Sequence, residues 1–264
     1  DVFDEPRYFD SSPKTSVFAF KGEVLGISIC EDAWYDTELW EKPPYHYDPV
    51  EELVKQGATL LINISASPFQ IDKEEIRYRI IRNHARKHGV PFLYVNQVGG
   101  NDELIFDGRS MFFDKKGELV TIFQSFAEEV KVIDPEAVGK PGQYEPQPKI
   151  QTVYQALTLG IKDYLTKCGF SKAVLGLSGG IDSAVTCCLA VNALGAENVM
   201  GVSMPSPYSS PGSVADSRRL AENLGIGFKV IPISGIYENF LDSFKEHFRG
   251  MEEDVTEENI QARI

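Results

Sequence analysis

The sequence predicts two α/β domains in tandem, the second a doubly wound parallel sheet. Three observations carry that expectation. Short apolar runs bounded by turn residues alternate with helical stretches over residues 17–133. A proline- and glycine-rich tract without periodicity, DPEAVGKPGQYEPQPK, then interrupts them. Beyond it, strands and helices alternate strictly, which is the pattern of helices layered on a parallel sheet. At 264 residues with 42% apolar content, the chain is long enough to build two cores. The expected boundaries are a domain over residues 1–133, a linker over 134–150 and a second domain over 151–264.

In the first domain VLGISIC, TLLINIS and PFLYVNQV each read as a buried strand, rich in Val, Ile and Leu. DKEEIRYRIIRNHARKHG between the last two reads as a helix. Asp72 and Glu75 make a capping-box-like start, Ile76, Ile80 and Ile81 share a face, and Gly89 followed by Pro91 ends it. RSMFFDKKGELVTIF reads as a hairpin turning at KKGE.

In the second domain a helix over about 151–167 precedes strand AVLGLS, helix 182–194, strand VMGVSMP, helix 211–224, strand FKVIPIS and helix 235–246. Ser210 and Pro211 supply an N-cap and first helical residue, and Gly225 a C-cap. The chain begins without Met and stops within an amphipathic pattern carried by Ile260 and Ile264, so the sequence reads as a segment of something longer.

Composition excludes some classes of function. A net charge of −13 argues against a nucleic-acid partner, because neutralising phosphates needs clustered Lys and Arg. No apolar run reaches the roughly 18 residues of a membrane span, and the N-terminus carries no basic-then-apolar signal. Cys30, Cys168, Cys187 and Cys188 form no CxxC pair, so neither zinc nor a disulfide framework is indicated. The expectation is a cytoplasmic protein in a reducing compartment.

The stretch LGLSGGIDSAVTCCLA enters a Ser-Gly-Gly turn from a strand and leaves it into a helix. The lysine of GxxxxGK[ST] is absent, so this is not an ordinary P-loop. In an α/β sheet, ligands bind beyond the carboxyl ends of the strands, and this turn lies at that edge. Gly179 and Gly180 let backbone N–H groups approach an anion, Ser178 and Ser183 add hydroxyls, and the helix N-terminus adds its positive dipole end. Asp182 beside a phosphate is repulsive unless Mg2+ sits between them, so a metal is implied. A bare Gly-Gly would be only a tight turn. SGGIDS after a strand resembles the pyrophosphate loop of the ATP pyrophosphatase superfamily, whose members adenylate an oxygen and let a nucleophile displace AMP.

Cys30 closes the strand VLGISIC, and a lone strand-end cysteine is more often a small buried hydrophobe than a nucleophile. Its context changes the weighting. GISICEDAW, NISASPF at 63–69 and VNQVGGNDELIFDGRS at 95–110 resemble the glutaminase domain of glutamine-dependent NAD synthetases, a nitrilase-type αββα fold. YQALTLGIKDYLTKCGF, MPSPYSS and TEENIQAR resemble the synthetase half of the same family, so the likeness covers nearly the whole chain in one order. The chain is thus expected to hold part of a nitrilase-type layered domain, followed by part of a doubly wound sheet of the ATP-pyrophosphatase type.

The resemblance implies roles. Cys30 is the nucleophile toward the glutamine amide, with Glu31 beside the thiol, Ser67 on the substrate and Lys73 on its carboxylate, although Lys73 also reads as an ordinary solvated helix residue. Gly176, Leu177, Ser178, Gly179, Gly180, Ile181, Asp182 and Ser183 cradle ATP, with Asp182 on Mg2+ and Met204 near the adenine. Asn259 meets deamido-NAD+, and Arg263 is structural or a phosphate contact. The family's general-base Glu and oxyanion Lys are expected upstream of Asp1, and none of His46, His84, His88 or His247 is placed beside Cys30. The implied substrates are L-glutamine, ATP and deamido-NAD+, and the implied assembly is a homo-oligomer through the synthetase half. Two other readings compete. One is a different ATP-pyrophosphatase amidotransferase, such as GMP or asparagine synthetase, whose glutaminase folds CEDAW does not fit. The other is a non-catalytic nucleotide-binding module.

Overall fold

The computed structural model describes residues 7–10, 12, 14–35, 47–247, 249–250, 255–261 and 263–264. His46 therefore lies outside the described residues. The chain forms two compact units, residues 1–156 and 157–264.

The first unit is built on a six-stranded mixed sheet of order β1-β2-β3-β4-β7-β8. Its strands are β1 (Val17–Phe20), β2 (Glu23–Ile29), β3 (Leu60–Ser65), β4 (Phe92–Asn96), β7 (Met111–Phe113) and β8 (Leu119–Ile122), with β5 (Val98–Asn101) and β6 (Leu104–Asp107) forming a separate antiparallel hairpin. β2, β3 and β4 run parallel, while β1, β7 and β8 are antiparallel to their neighbours. The expected hairpin is the β7–β8 pair, its turn closed by Asp114, whose carboxylate accepts from Lys116 N and Glu118 N at 2.8 and 2.9 Å.

Helices α1 (Pro49–Lys55) and α2 (Lys73–His88) contribute Val50, Leu53, Ile80, Ile81 and Ala85 to one core with Leu61, Phe92, Tyr94, Met111 and Phe113 from the sheet. Parallel pairing matters for function because it stacks like ends of strands together. Ile29 pairs with Ile64 and Ser65 with Asn96, so the carboxyl ends of β2, β3 and β4 lie side by side.

The start of α2 differs from the expected capping box. Asp72 sits in a left-handed conformation (φ 69°) rather than the extended one of an N-cap, its side chain makes no cap, and its carboxylate bonds Lys149 Nζ at 2.7 Å instead. The other end is as expected: Gly89 (φ 67°) closes the helix by donating to Ala85 O at 2.9 Å. The proline-rich tract has no helix or strand over 134–148, yet it is folded down rather than loose. Tyr144 stacks on Tyr78 at 3.8 Å between ring centres, and Gly139 N donates to Asp114 at 3.0 Å.

In the second unit β9 (Ala173–Gly176), β10 (Val199–Ser203) and β11 (Gly227–Val230) form a parallel sheet of order β11-β10-β9. The helices are α3 (Lys149–Lys167), which begins before the division, α4 (Ile181–Leu194), α5 (Pro211–Leu224), α6 (Ser234–Phe244) and α7 (Val255–Gln261). Leu177, Cys187, Ala190 and Val199 form the core, with Leu175, Leu220, Leu224 and Phe228 packed on it. Both predicted caps of α5 are present: Ser210 Oγ accepts from Ser213 N at 3.1 Å, and Gly225 is left-handed at φ 68°.

Candidate active sites

The first candidate site sits at the carboxyl edge of β2, β3 and β4. Strand β2 stops at Ile29, and Cys30 opens a 3-10 turn over Cys30–Ala33 with a φ of +46°. For a residue with a side chain that region costs about 1–2 kcal/mol, so it persists only where surroundings enforce it. They do so by a set of hydrogen bonds. Asp32 Oδ2 accepts from Ile29 N at 2.8 Å, and Trp34 N donates to Glu31 O at 2.8 Å. Asn63, fully buried on β3, donates to Cys30 O at 3.2 Å and Ser28 Oγ at 3.0 Å, and accepts from Ser65 Oγ at 2.6 Å. His84 Nε2 lies 2.9 Å from Ala33 O at the end of the turn. The Cys30 side is thereby aimed and nearly buried, at 9% exposure.

Ser67 is held by another buried amide. Asn96 Oδ1 accepts from Ser67 N at 2.8 Å, while Asn96 Nδ2 donates to Ser67 O at 3.3 Å and Gly108 O at 3.0 Å. Ser67 Oγ is buried without a hydrogen-bond partner among the described residues.

Lys73, on the first turn of α2, is not a solvated surface lysine. Its ammonium lies over the Trp34 ring at 5.3 Å from the centroid. Burial, then the neighbouring Arg77 charge, push its pKa below the ordinary lysine value, against the pull of Cys30, Asp107 and Glu31. The same balance puts Lys73 within electrostatic reach of Cys30 and Glu31, so three of the predicted residues share one neighbourhood.

Behind them Arg77 forms a two-pronged ion pair with Asp107, both buried. Burial works against the Arg77 charge, but the paired Asp107 carboxylate outweighs it and keeps the guanidinium ionised. Burial also raises Asp32, and the Ile29 N–H only partly offsets this. Asp32, Asn63, Arg77, Asn96 and Asp107 were not singled out from the sequence.

The second candidate site is the turn between β9 and α4. Gly179 has φ +82°, and a Cβ there would stand 2.6 Å from Ser213 O and 2.7 Å from Ser213 Cα, so the turn passes directly against the start of α5. Ser178 and Ser183 tie the loop internally: their hydroxyls are 3.1 Å apart, Gly180 N donates to Ser178 Oγ at 3.2 Å, and Ser183 Oγ donates to Gly180 O at 3.0 Å. Ser217, buried on α5, donates to Leu177 O at 3.2 Å and anchors the strand end.

Ile181 and Asp182 begin α4 and are exposed, as are Ser178, Gly179 and Gly180, so the helix N-terminus and loop face open space. Asp182 offers a hard oxygen of the kind Mg2+ takes, adjacent to the loop amides. Met204 follows β10, and a Cβ at Gly176 would meet its Cε at 3.5 Å, so both stand at the same sheet edge.

Asn259 lies exposed on α7, and its carbonyl accepts from Arg263 Nη1 at 2.9 Å, a structural contact for Arg263. Helix α7 reaches the β10–α5 connection through Gln261 Oε1, which accepts from Ser206 Oγ at 2.8 Å. The structure thus sets Gly176 and Met204 at one sheet edge, with residues 177–183 following Gly176 in the chain, while Asn259 lies on α7, whose Gln261 bonds Ser206.

Residues 1–136 match the carbon-nitrogen hydrolase family, and residues 153–264 match NAD synthase. The whole chain aligns with the glutamine-dependent NAD(+) synthetases of Synechocystis sp. at 43% identity, covering 48% of that protein, and of Aquifex aeolicus at 39%, covering 51%. Among solved structures, the glutamine-dependent NAD+ synthetase from Acinetobacter baumannii in complex with ADP superposes with a TM-score of 0.85 at 33% identity, over all of this chain and 49% of that one. The chain spans about half the length of the relatives it matches.

Proposed function

Since the chain belongs to the carbon-nitrogen hydrolase family over its first half and carries an NAD synthase segment behind it, we propose that it serves glutamine-dependent NAD+ synthesis. Cys30 attacks the side-chain amide of L-glutamine: a bond forms between Sγ and the amide carbon, the C–N bond breaks, and nitrogen leaves as ammonia. Water then hydrolyses the thioester and releases glutamate. In the second half, ATP adenylates a carboxylate of deamido-NAD+ with loss of pyrophosphate. Ammonia displaces AMP and leaves the carboxamide of NAD+.

The observation that carries the glutaminase reading is Cys30 held at φ +46° within electrostatic reach of the half-buried Lys73. A positive charge next to a thiol favours the thiolate, which is the nucleophile. Lys73 and Ser67 are suited to grip the charged and polar groups of the amino acid, and Glu31 lies within electrostatic reach of Lys73. In the second half, the loop from Gly176 to Ser183 fits a phosphate chain. Asp182 would hold Mg2+, which supplies charge neutralisation between phosphate oxygens; Met204 would border the adenine, and Asn259 the deamido-NAD+.

The reading includes a cytoplasmic location, supported by the NAD-forming chemistry and by the lack of any described helix long and apolar enough to cross a membrane. It also includes a homo-oligomer through the synthetase half. Leu157 and Tyr164 on α3, exposed at 44% and 54%, support a helix face suited to a second copy.

Two variants of the full-length protein test the assignment together. Cys30→Ala should abolish NAD+ formation from glutamine while free ammonia still supports it. Asp182→Ala should lose synthesis with either nitrogen source and retain basal glutamine hydrolysis. Loss of both activities in Cys30→Ala, or ammonia-dependent synthesis surviving in Asp182→Ala, would overturn it.

A further inference from the structure

Where α1 and α2 meet, Asp48, His84 and His88 bring one carboxylate oxygen and two imidazole nitrogens within 4.8 Å of one another. We propose that these three residues form a binding site for a divalent transition metal of the zinc class, placed to brace the turn that carries Cys30.

The two histidines stand at i and i+4 on α2, hence on one face, with rings nearly parallel at 12° and centres 5.9 Å apart. His84 is buried at 4% exposure and Asp48 at 7%, so the site is built into the unit rather than scattered on its surface. His84 has the second-sphere arrangement that metal-bound histidines use. Its Nε2 lies 2.9 Å from Ala33 O, and a carbonyl can only accept, so Nε2 carries the proton and Nδ1 presents the lone pair.

Asp48 divides its work between its two oxygens. Oδ1 caps α1 by accepting from Val50 N at 3.0 Å and Glu51 N at 3.2 Å, and Oδ2 is left for a cation. In this structure that cation is Lys87 Nζ, at 3.2 Å. His88 Nε2 is buried without a hydrogen-bond partner among the described residues.

Nitrogen and oxygen ligands sit about 2.0–2.1 Å from zinc, which sets them roughly 3.3 Å apart around a tetrahedral ion. Small rotations of Asp48 and the half-buried His88 would close the present spacing to that value. Two imidazoles with one carboxylate select zinc-class ions over Mg2+ or Ca2+, which prefer all-oxygen sets. Lys87 can yield its place, because it also bonds Glu51 Oε2 at 3.0 Å and its side chain is 54% exposed. An ion here would join the N-terminus of α1, the last turns of α2 and, through His84 and Ala33 O, the end of the Cys30 turn.

The test is a Co2+ titration of the full-length protein after chelator treatment, read by visible absorption, with Zn2+ as competitor. One equivalent per chain should give a tetrahedral cobalt spectrum without sulfur charge-transfer absorption, and Zn2+ should displace it. His88→Gln should lose the spectrum. Lys87→Gln, a change on an exposed side chain, should tighten binding about fivefold or more by removing a competing positive charge. Absence of the spectrum in the parent protein, its persistence in a folded His88→Gln, a thiolate band, or unchanged affinity in Lys87→Gln would each overturn the proposal. If His88→Gln fails to fold, the Lys87→Gln measurement decides.

Discussion

Asn63→Ala probes whether the Cys30 turn is held by design or only happens to be bent. Asn63 has no exposed surface, and its amide makes bonds of 3.2 Å to Cys30 O, 3.0 Å to Ser28 Oγ and 2.6 Å from Ser65 Oγ. Alanine removes all three. Ser28 Oγ keeps a long contact of 3.5 Å to Ile62 O, but the Cys30 carbonyl and the Ser65 hydroxyl lose the partner they had in Asn63. A buried polar group deprived of its partner costs about 1–3 kcal/mol, and water entering the vacated space recovers part of that. The expected destabilisation is therefore about 2–4 kcal/mol, which a domain of ordinary stability survives at room temperature.

The functional consequence follows from the φ of +46° at Cys30. About 1–2 kcal/mol of backbone strain is balanced by bonds that include the one from Asn63, so without it the turn relaxes and the sulfur moves. A displacement of about 1 Å can cost roughly a hundredfold in rate. Urea unfolding of the full-length protein measures the first effect, and glutaminase kcat with the rate of labelling by a glutamine-like chloroketone measures the second. Asn63 has no exposed surface to offer a substrate, so KM for glutamine should change much less than kcat. A variant that loses the expected stability yet keeps kcat within about threefold would refute the view that Asn63 positions the nucleophile.

Two further outcomes are expected. Gly179→Ala combines a φ of +82° with a Cβ 2.6 Å from the Ser213 carbonyl, a backbone atom that cannot rotate away, so ATP affinity measured by calorimetry should fall at least about tenfold; an unchanged Kd would refute the loop's role. Lys73→Met should weaken glutamine binding, seen as a raised KM, yet raise the melting temperature at neutral pH. The sign follows from its pKa, which in the folded protein lies below the ordinary lysine value of 10.5, so between those values the unfolded chain binds the proton more readily and stability climbs with pH. The penalty is present in full below that window, and the advantage of Met should shrink as pH approaches 10.5; a lower melting temperature for Lys73→Met at pH 7 would refute it.

What was legible in the sequence was local. The turn LSGGIDS announces itself because glycine, serine and a following helix are neighbours in the chain, and the Ser210–Pro211 and Gly225 caps act within a few residues. The Asp72 capping box failed because the residue adopts a left-handed backbone (φ 69°) rather than the extended one a cap needs; its carboxylate bonds instead to a lysine 77 positions away, which nothing near Asp72 signals. The braces of the first site are equally remote. Asn63 reaches back 33 residues to Cys30, and Asn96 reaches 29 to Ser67. The cluster of Asp48 with His84 and His88 shows only its i, i+4 half in the sequence, since Asp48 arrives from another helix.

The strands did carry a usable signal, though it needed the register to become readable. VLGISIC, TLLINIS and PFLYVNQV look apolar on both faces, as strands in parallel sheets do. Their few polar residues are the exception. Pairing aligns Ser28 with Asn63 and Tyr94, and Ser65 with Asn96, and all five are buried. The opposite parity brings Ile29, Ile64 and Val95 into one row, exposed at 65%, 52% and 40%. A one-residue slip of any strand would exchange the two sets. The register that keeps amide and hydroxyl groups together on one face is therefore the register that aims Cys30, and polar residues of common parity inside apolar strands mark that face.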